Sequence, residues 1–69
     1  MMRYLVVFEK AGNNYTAYAP DLPGCFATGA TIAEAKDNIR KVIRLHIRGI
    51  VQRGDPLPEQ IASSEYLEL

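Results

Sequence analysis

The sequence is poor in the residues that staple small proteins. One cysteine, Cys25, and one histidine, His46, stand among sixty-nine residues. A lone cysteine closes no intrachain disulfide and suits a reducing compartment, so a cytoplasmic location is expected. One cysteine with one histidine falls short of the four ligands of a structural zinc site. A core of this size yields only about 3–5 kcal/mol of net stability, and natural domains this small usually add a staple. With disulfide and zinc set aside, self-association remains. A homodimer or homotetramer is therefore expected.

Long apolar runs are missing too. Nothing approaches the roughly 20 residues of a membrane span. The apolar start, Tyr4 to Phe8, is too short for a signal peptide and is interrupted by Glu9. No membrane partner is expected. There is no net charge: eight basic residues balance eight acidic ones. A free-standing nucleic-acid binder usually shows a basic excess, so direct nucleic-acid binding is not expected. The charges are nonetheless segregated. Lys36, Arg40, Lys41, Arg44, Arg48 and Arg53 fall in one segment, while Asp55, Glu59, Glu65 and Glu68 occupy a tail without bases. Such asymmetry steers charged partners to one face.

What is present is an ordinary apolar fraction, 48%, arranged with clear periodicity. Arg3 to Lys10 is rich in β-branched and aromatic residues and reads as a strand apolar on both faces, hence covered on both or central. Ala11-Gly12-Asn13-Asn14 reads as a hairpin turn, and Tyr15 to Ala19 as the returning strand. Two prolines exclude Pro20-Asp21-Leu22-Pro23-Gly24 from a central strand. Cys25 to Thr28 then forms a short third strand. Thr31 with Glu34 makes a capping box ahead of a helix from Ile32 to Arg53. Ile32, Ala35, Ile39, Val42, Ile43, His46, Ile47 and Ile50 share one broad helical face that should lie on the sheet. Gly54 stops the helix, and Pro56 and Pro58 forbid its continuation. Glu65 to Leu69 forms a short fourth strand or docks a partner. The fold class is α+β: a three-stranded antiparallel meander followed by one long helix, βββα, in one domain spanning residues 1–69.

Catalytic chemistry finds little support. Clustered acids can hold magnesium in nucleases, and Glu9, Asp21, Glu34 and Asp37 are the candidates. Glu34 and Asp37, however, sit in the first helical turns, where the helix dipole favours negative charge without a metal. His46, an imidazole, is the candidate general base but lies within the apolar helical face, with no nucleophile placed beside it. Cys25 reads as a small core or edge residue. No catalytic residue, metal or cofactor is expected. The basic helix face (Arg40, Lys41, Arg44, Arg48) is either a docking surface or a solvated face helped by an Asp37–Lys41 pair; the second reading is favoured.

The strand Tyr4-Leu5-Val6-Val7-Phe8-Glu9, the hairpin into Asn14-Tyr15-Thr16-Ala17-Tyr18-Ala19-Pro20, and Asp21-Leu22-Pro23-Gly24-Cys25 resemble the HicB-like antitoxins. The likeness continues through Ala27-Thr28-Gly29-Ala30-Thr31, Glu34-Ala35, the long helix and Gly54-Asp55-Pro56-Leu57-Pro58. It covers residues 3 to 58. Ala30 departs from the pattern, standing where an acidic residue is common. The resemblance implies a truncated ribonuclease H-like fold without the nuclease acids. It also implies an antitoxin that binds and neutralises a HicA-type toxin, a small messenger-RNA-cleaving ribonuclease. Many such antitoxins carry a further DNA-binding domain; none is expected here. The alternative is an orphan binding or regulatory module of the same fold. Candidate partner or oligomer contacts are Asp21, Leu22, Pro23, Arg44, Leu45, Arg48, Tyr66 and Leu67.

Overall fold

Three strands and one helix follow one another in a computed structural model that describes residues 2–69: β1 (Val7–Ala11), β2 (Asn14–Tyr18), β3 (Phe26–Gly29) and α1 (Ile32–Arg53). The strands form an antiparallel meander in the order β1-β2-β3. The α+β class and the βββα order are those expected.

β1 and β2 meet across Gly12 and Asn13, because Ala11 already pairs with Asn14. Gly12 stands at φ +62°, which suits a glycine at the first central position of a tight hairpin. β1 is shorter than its apolar pattern suggested. Its ladder begins at Val7, opposite Tyr18, so Arg3 to Val6 lies outside the ladder and carries no regular secondary structure. The partner strand runs out there. Ala19 to Cys25 folds into a loop in which the Leu22 N–H donates to the Ala19 carbonyl (3.0 Å) and the Cys25 N–H to that of Leu22 (3.1 Å). Pro20 has no N–H with which to prolong a ladder. β3 likewise starts one residue late, at Phe26.

Register assigns the faces. Phe8, Ala17 and Ala27 stand opposite one another, as do Val7, Tyr18 and Phe26 one position over. The first row faces the helix and packs with Ala35 and Ile39. Small residues let α1 come close: a Cβ at Gly29 would lie 2.9 Å from Ala35 Cα. A second cluster, Ala19, Leu22 and Cys25, plugs the loop end beneath Val42 and Ile43. The second row faces away, and Phe26 there is 64% exposed.

α1 starts as its capping residues dictate. Thr31 is the N-cap, and its hydroxyl accepts from the Glu34 N–H (3.1 Å). The Glu34 carboxylate reaches past the cap to the Ala30 N–H (3.3 Å), one residue earlier than a capping box requires. Gly54, at φ +74°, closes the helix, its N–H directed to the carbonyls of Ile50 and Val51. The helix packs on β3 and β2 far more than on β1. Of the predicted apolar face, Ala35, Ile39 and Ile50 are buried, while Ile32 is half exposed. Among the described residues, no helix is long and apolar enough to cross a membrane.

The tail forms no fourth strand. Residues 55–69 carry no regular secondary structure, and Tyr66, Leu67 and Leu69 are exposed. The tail is held by side chains instead of by a ladder. The Tyr4 hydroxyl donates to the Pro58 carbonyl (2.7 Å), and the Arg3 N–H donates to Gln60 Oε1 (3.3 Å). Asp21 accepts from the N–H groups of Ile61 (3.0 Å) and Ala62 (3.0 Å).

Candidate binding surfaces

Because α1 leans over β2 and β3, the helix-facing side of the chain's first residues is only half covered. A groove of about 1270 Å³ lies there between the N-terminal segment, α1 and the tail. Its apolar lining includes Leu5, Val6, Phe8, Ile39, Ile43 and Ile47. Arg3, Lys36, Arg40, Arg44 and Arg48 also line it, against a single acid, Asp21. Asp21 is committed to the backbone of the tail.

The basic residues of the helix thus border its apolar stripe and share a concave surface with it. Arg40, Arg44 and Arg48 are exposed, as expected of a solvated face, and they also line the groove. Asp37 pairs with Arg40, three residues on (3.6 Å), and not with Lys41. The only other ion pair among the described residues joins Arg53 to Asp55 (3.1 Å). Arg44 and Arg48 therefore face the groove without a carboxylate partner among the described residues.

The residues expected to touch a partner divide. Asp21, Arg44 and Arg48 meet at the groove. Leu22 is fully buried in the loop cluster, because the turn built on Ala19 and Cys25 drives it inward; it has no surface to offer. Pro23 is exposed at the turn, and Leu45, 66% exposed, lies outside the groove lining. Tyr66 and Leu67 are free in the tail. Sequence reasoning missed the walls supplied by Arg3 to Val6 and by residues 60–64. The two-sided apolar pattern of the first segment was their signal.

The acids do not assemble. Glu34 serves the cap, Asp37 meets Arg40 and Asp21 holds the tail. Among the described residues no group of three or more His, Cys, Asp or Glu side chains comes together to hold a metal ion. His46 is half-buried on α1. Cys25 is buried, and desolvation pushes its thiol above the ordinary value.

The family described as HicB-like antitoxin of bacterial toxin-antitoxin system matches residues 4–68. The chain belongs to this family. Its relatives include an uncharacterized 14.9 kDa protein of Haemophilus phage HP1, 35% identical over 66 residues; the match covers 96% of this chain and 50% of that protein. A UPF0150 protein of Thermoplasma acidophilum is 36% identical over 62 residues, covering 88% of this chain and 90% of its own length. This HicB-like chain thus spans about half of its phage relative. Among solved structures it resembles a chain of the HicA3 and HicB3 toxin-antitoxin complex, with a TM-score of 0.65 and 33% identity, over 80% of this chain and 64% of that one.

Proposed function

We propose that this chain is an antitoxin that binds a HicA-type toxin and silences it by occupying it, with no reaction of its own. The observation that carries this reading is the likeness to a chain of a HicA–HicB complex in both fold and sequence. The family match over residues 4–68 supports it. So does the way the acids are engaged: Asp21, Glu34 and Asp37 each make contacts within the chain that explain their presence. The partner is a small ribonuclease, and the antitoxin works as a homo-oligomer inside the cell.

Co-expression provides the test. A HicA-type toxin, taken from the gene adjacent to this one where there is one, should arrest growth alone and lose that effect when this chain is co-produced. The purified pair should co-elute, and the toxin's cleavage of messenger RNA should fall with a one-to-one titration. If HicA-type toxins stay fully active at saturating concentrations of this chain, the reading fails, and a stand-alone binding module takes its place.

A further inference from the structure

Two surfaces of this chain lack partners and match each other. The groove has an apolar floor and carries Arg3, Lys36, Arg40, Arg44 and Arg48. The segment Glu65-Tyr66-Leu67-Glu68-Leu69 is apolar and acidic; Leu67 is 72% exposed, and Tyr66 and Leu69 are fully so. Neither Glu65 nor Glu68 has an ion-pair partner among the described residues.

We propose that residues 65–69 of one copy lie in the groove of a second copy, and that the two copies exchange these segments reciprocally. Size fits first. From Lys36 to Arg48, α1 rises about 18 Å at 1.5 Å per residue. Five extended residues span about 17 Å. An extended segment turns Leu67 and Leu69 to one side, where Leu5, Val6, Ile43 and Ile47 offer apolar contact. Glu65 shares that side and meets the arginines in a concave, partly desolvated setting, where opposite charges gain more than on open surface, while Glu68 on the other side faces the groove's basic rim. Residues 3–6 lie outside the ladder, so this stretch of the groove's wall is not paired with a neighbouring strand.

The chain's own tail does not fill the groove. Asp21 fastens Ile61 and Ala62 at its rim. From there Ser64, Glu65 and Tyr66 pass to a neighbouring cleft beside Val7 and Ile32, and none of residues 65–69 lines the groove itself. A two-fold arrangement satisfies both tails and both grooves at once and closes without leaving a free site. It also supplies the staple that a small chain with one cysteine otherwise lacks. The inference does not rest on the antitoxin reading.

Charge reversal with mixing tests it on the full chain. One variant carries Glu65→Arg with Glu68→Arg, the other Arg44→Glu with Arg48→Glu. All four side chains are exposed, and circular dichroism checks that the helix is retained. Sedimentation at low salt should give a dimer of the 7.7 kDa wild-type chain. Each variant alone should dissociate at least tenfold more readily. An equimolar mixture should recover the dimer, since each tail then meets a groove of opposite charge. As a milder check, Glu65→Gln with Glu68→Gln should weaken the dimer in the same direction. A wild type that stays monomeric at high concentration overturns the proposal, as do variants that remain dimers of wild-type affinity. Monomeric variants that fail to recover on mixing overturn it too, and would give the tail to its own groove or to a different macromolecule.

Discussion

At the level of single residues, the same substitution should have opposite signs at two glycines. Gly29 ends β3 directly beneath the first turns of α1, and an added Cβ would meet the backbone of Glu34 and Ala35, within 2.9 Å of the latter's Cα. Backbone cannot swing aside as a side chain can, so the helix must lift from the sheet. Gly29→Ala should destabilise by about 1–3 kcal/mol, toward the upper end. Thermal unfolding should then fall by roughly 10 °C in a chain of this size. Gly49 sits within α1, where an added Cβ meets only the Arg53 side chain, at 3.3 Å. Gly49→Ala should instead stabilise by about 0.5–1 kcal/mol, the difference between the two residues in a helix interior. Equal effects at both positions would contradict the packing described. Cys25 offers a pH test. Burial raises its thiol above the ordinary value, so the fold favours the neutral form. That contribution is fully present below the ordinary thiol value and is lost as pH rises through the folded value. Wild-type stability should therefore fall more steeply in alkaline buffer than that of Cys25→Ala. Thiol reagents at neutral pH should label the native chain far more slowly than the unfolded one, and equal rates would place Cys25 at the surface.

Among the elements, the tail depends on one side chain. Asp21 accepts three hydrogen bonds from consecutive backbone N–H groups, those of Ile61 and Ala62. Bonds to a charged acceptor contribute more than neutral ones, with a discount for partial exposure. Asp21→Ala should cost about 1 kcal/mol and, more tellingly, erase hydrogen-exchange protection at Ile61 and Ala62 while α1 keeps its own. If both amides stay protected, the clasp lies elsewhere. The contrast between tail and helix also marks how far the sequence could be read. α1 was legible to its ends because Thr31, Glu34 and Gly54 are local signals whose effect is confined to one turn. The hairpin was legible through Gly12 and Asn13. β1 was overextended, since Arg3 to Val6 has strand composition but its pairing depends on where β2 ends. The clasp was not legible: Asp21 and Ala62 are 41 residues apart, and neither carries a periodic pattern. The groove was half legible, its helical wall through the basic stripe and its floor through the two-sided apolar first segment. Leu22 was misplaced because a turn of prolines and glycine gives no hint of which way its one large side chain points.

For the whole molecule, the question is whether its stability belongs to one chain or to two. Leu22 and Ile39 are the only large side chains fully buried among the described residues, and Leu45, Phe26 and Leu67 stay well exposed. A domain of about 60 residues buries only some 60% of its unfolded surface, which leaves little margin. If unfolding is coupled to dissociation, mass action makes the midpoint depend on concentration. For a dimer, each tenfold rise in total chain adds about 1.4 kcal/mol per dimer, half of it per protomer. Across a hundredfold range the midpoint should therefore climb by on the order of 5–10 °C. A monomer unfolding alone would give one midpoint throughout. Differential scanning calorimetry over that range separates the two cases without any mutation. Repeating it with Arg44→Glu and Arg48→Glu combined asks where the coupling resides. Those side chains are exposed, so their replacement should leave the monomer's own stability nearly unchanged while flattening the concentration dependence. A slope that survives the reversal would mean that the chains associate through another surface, the outward row of Val7, Tyr18 and Phe26 being the next to test.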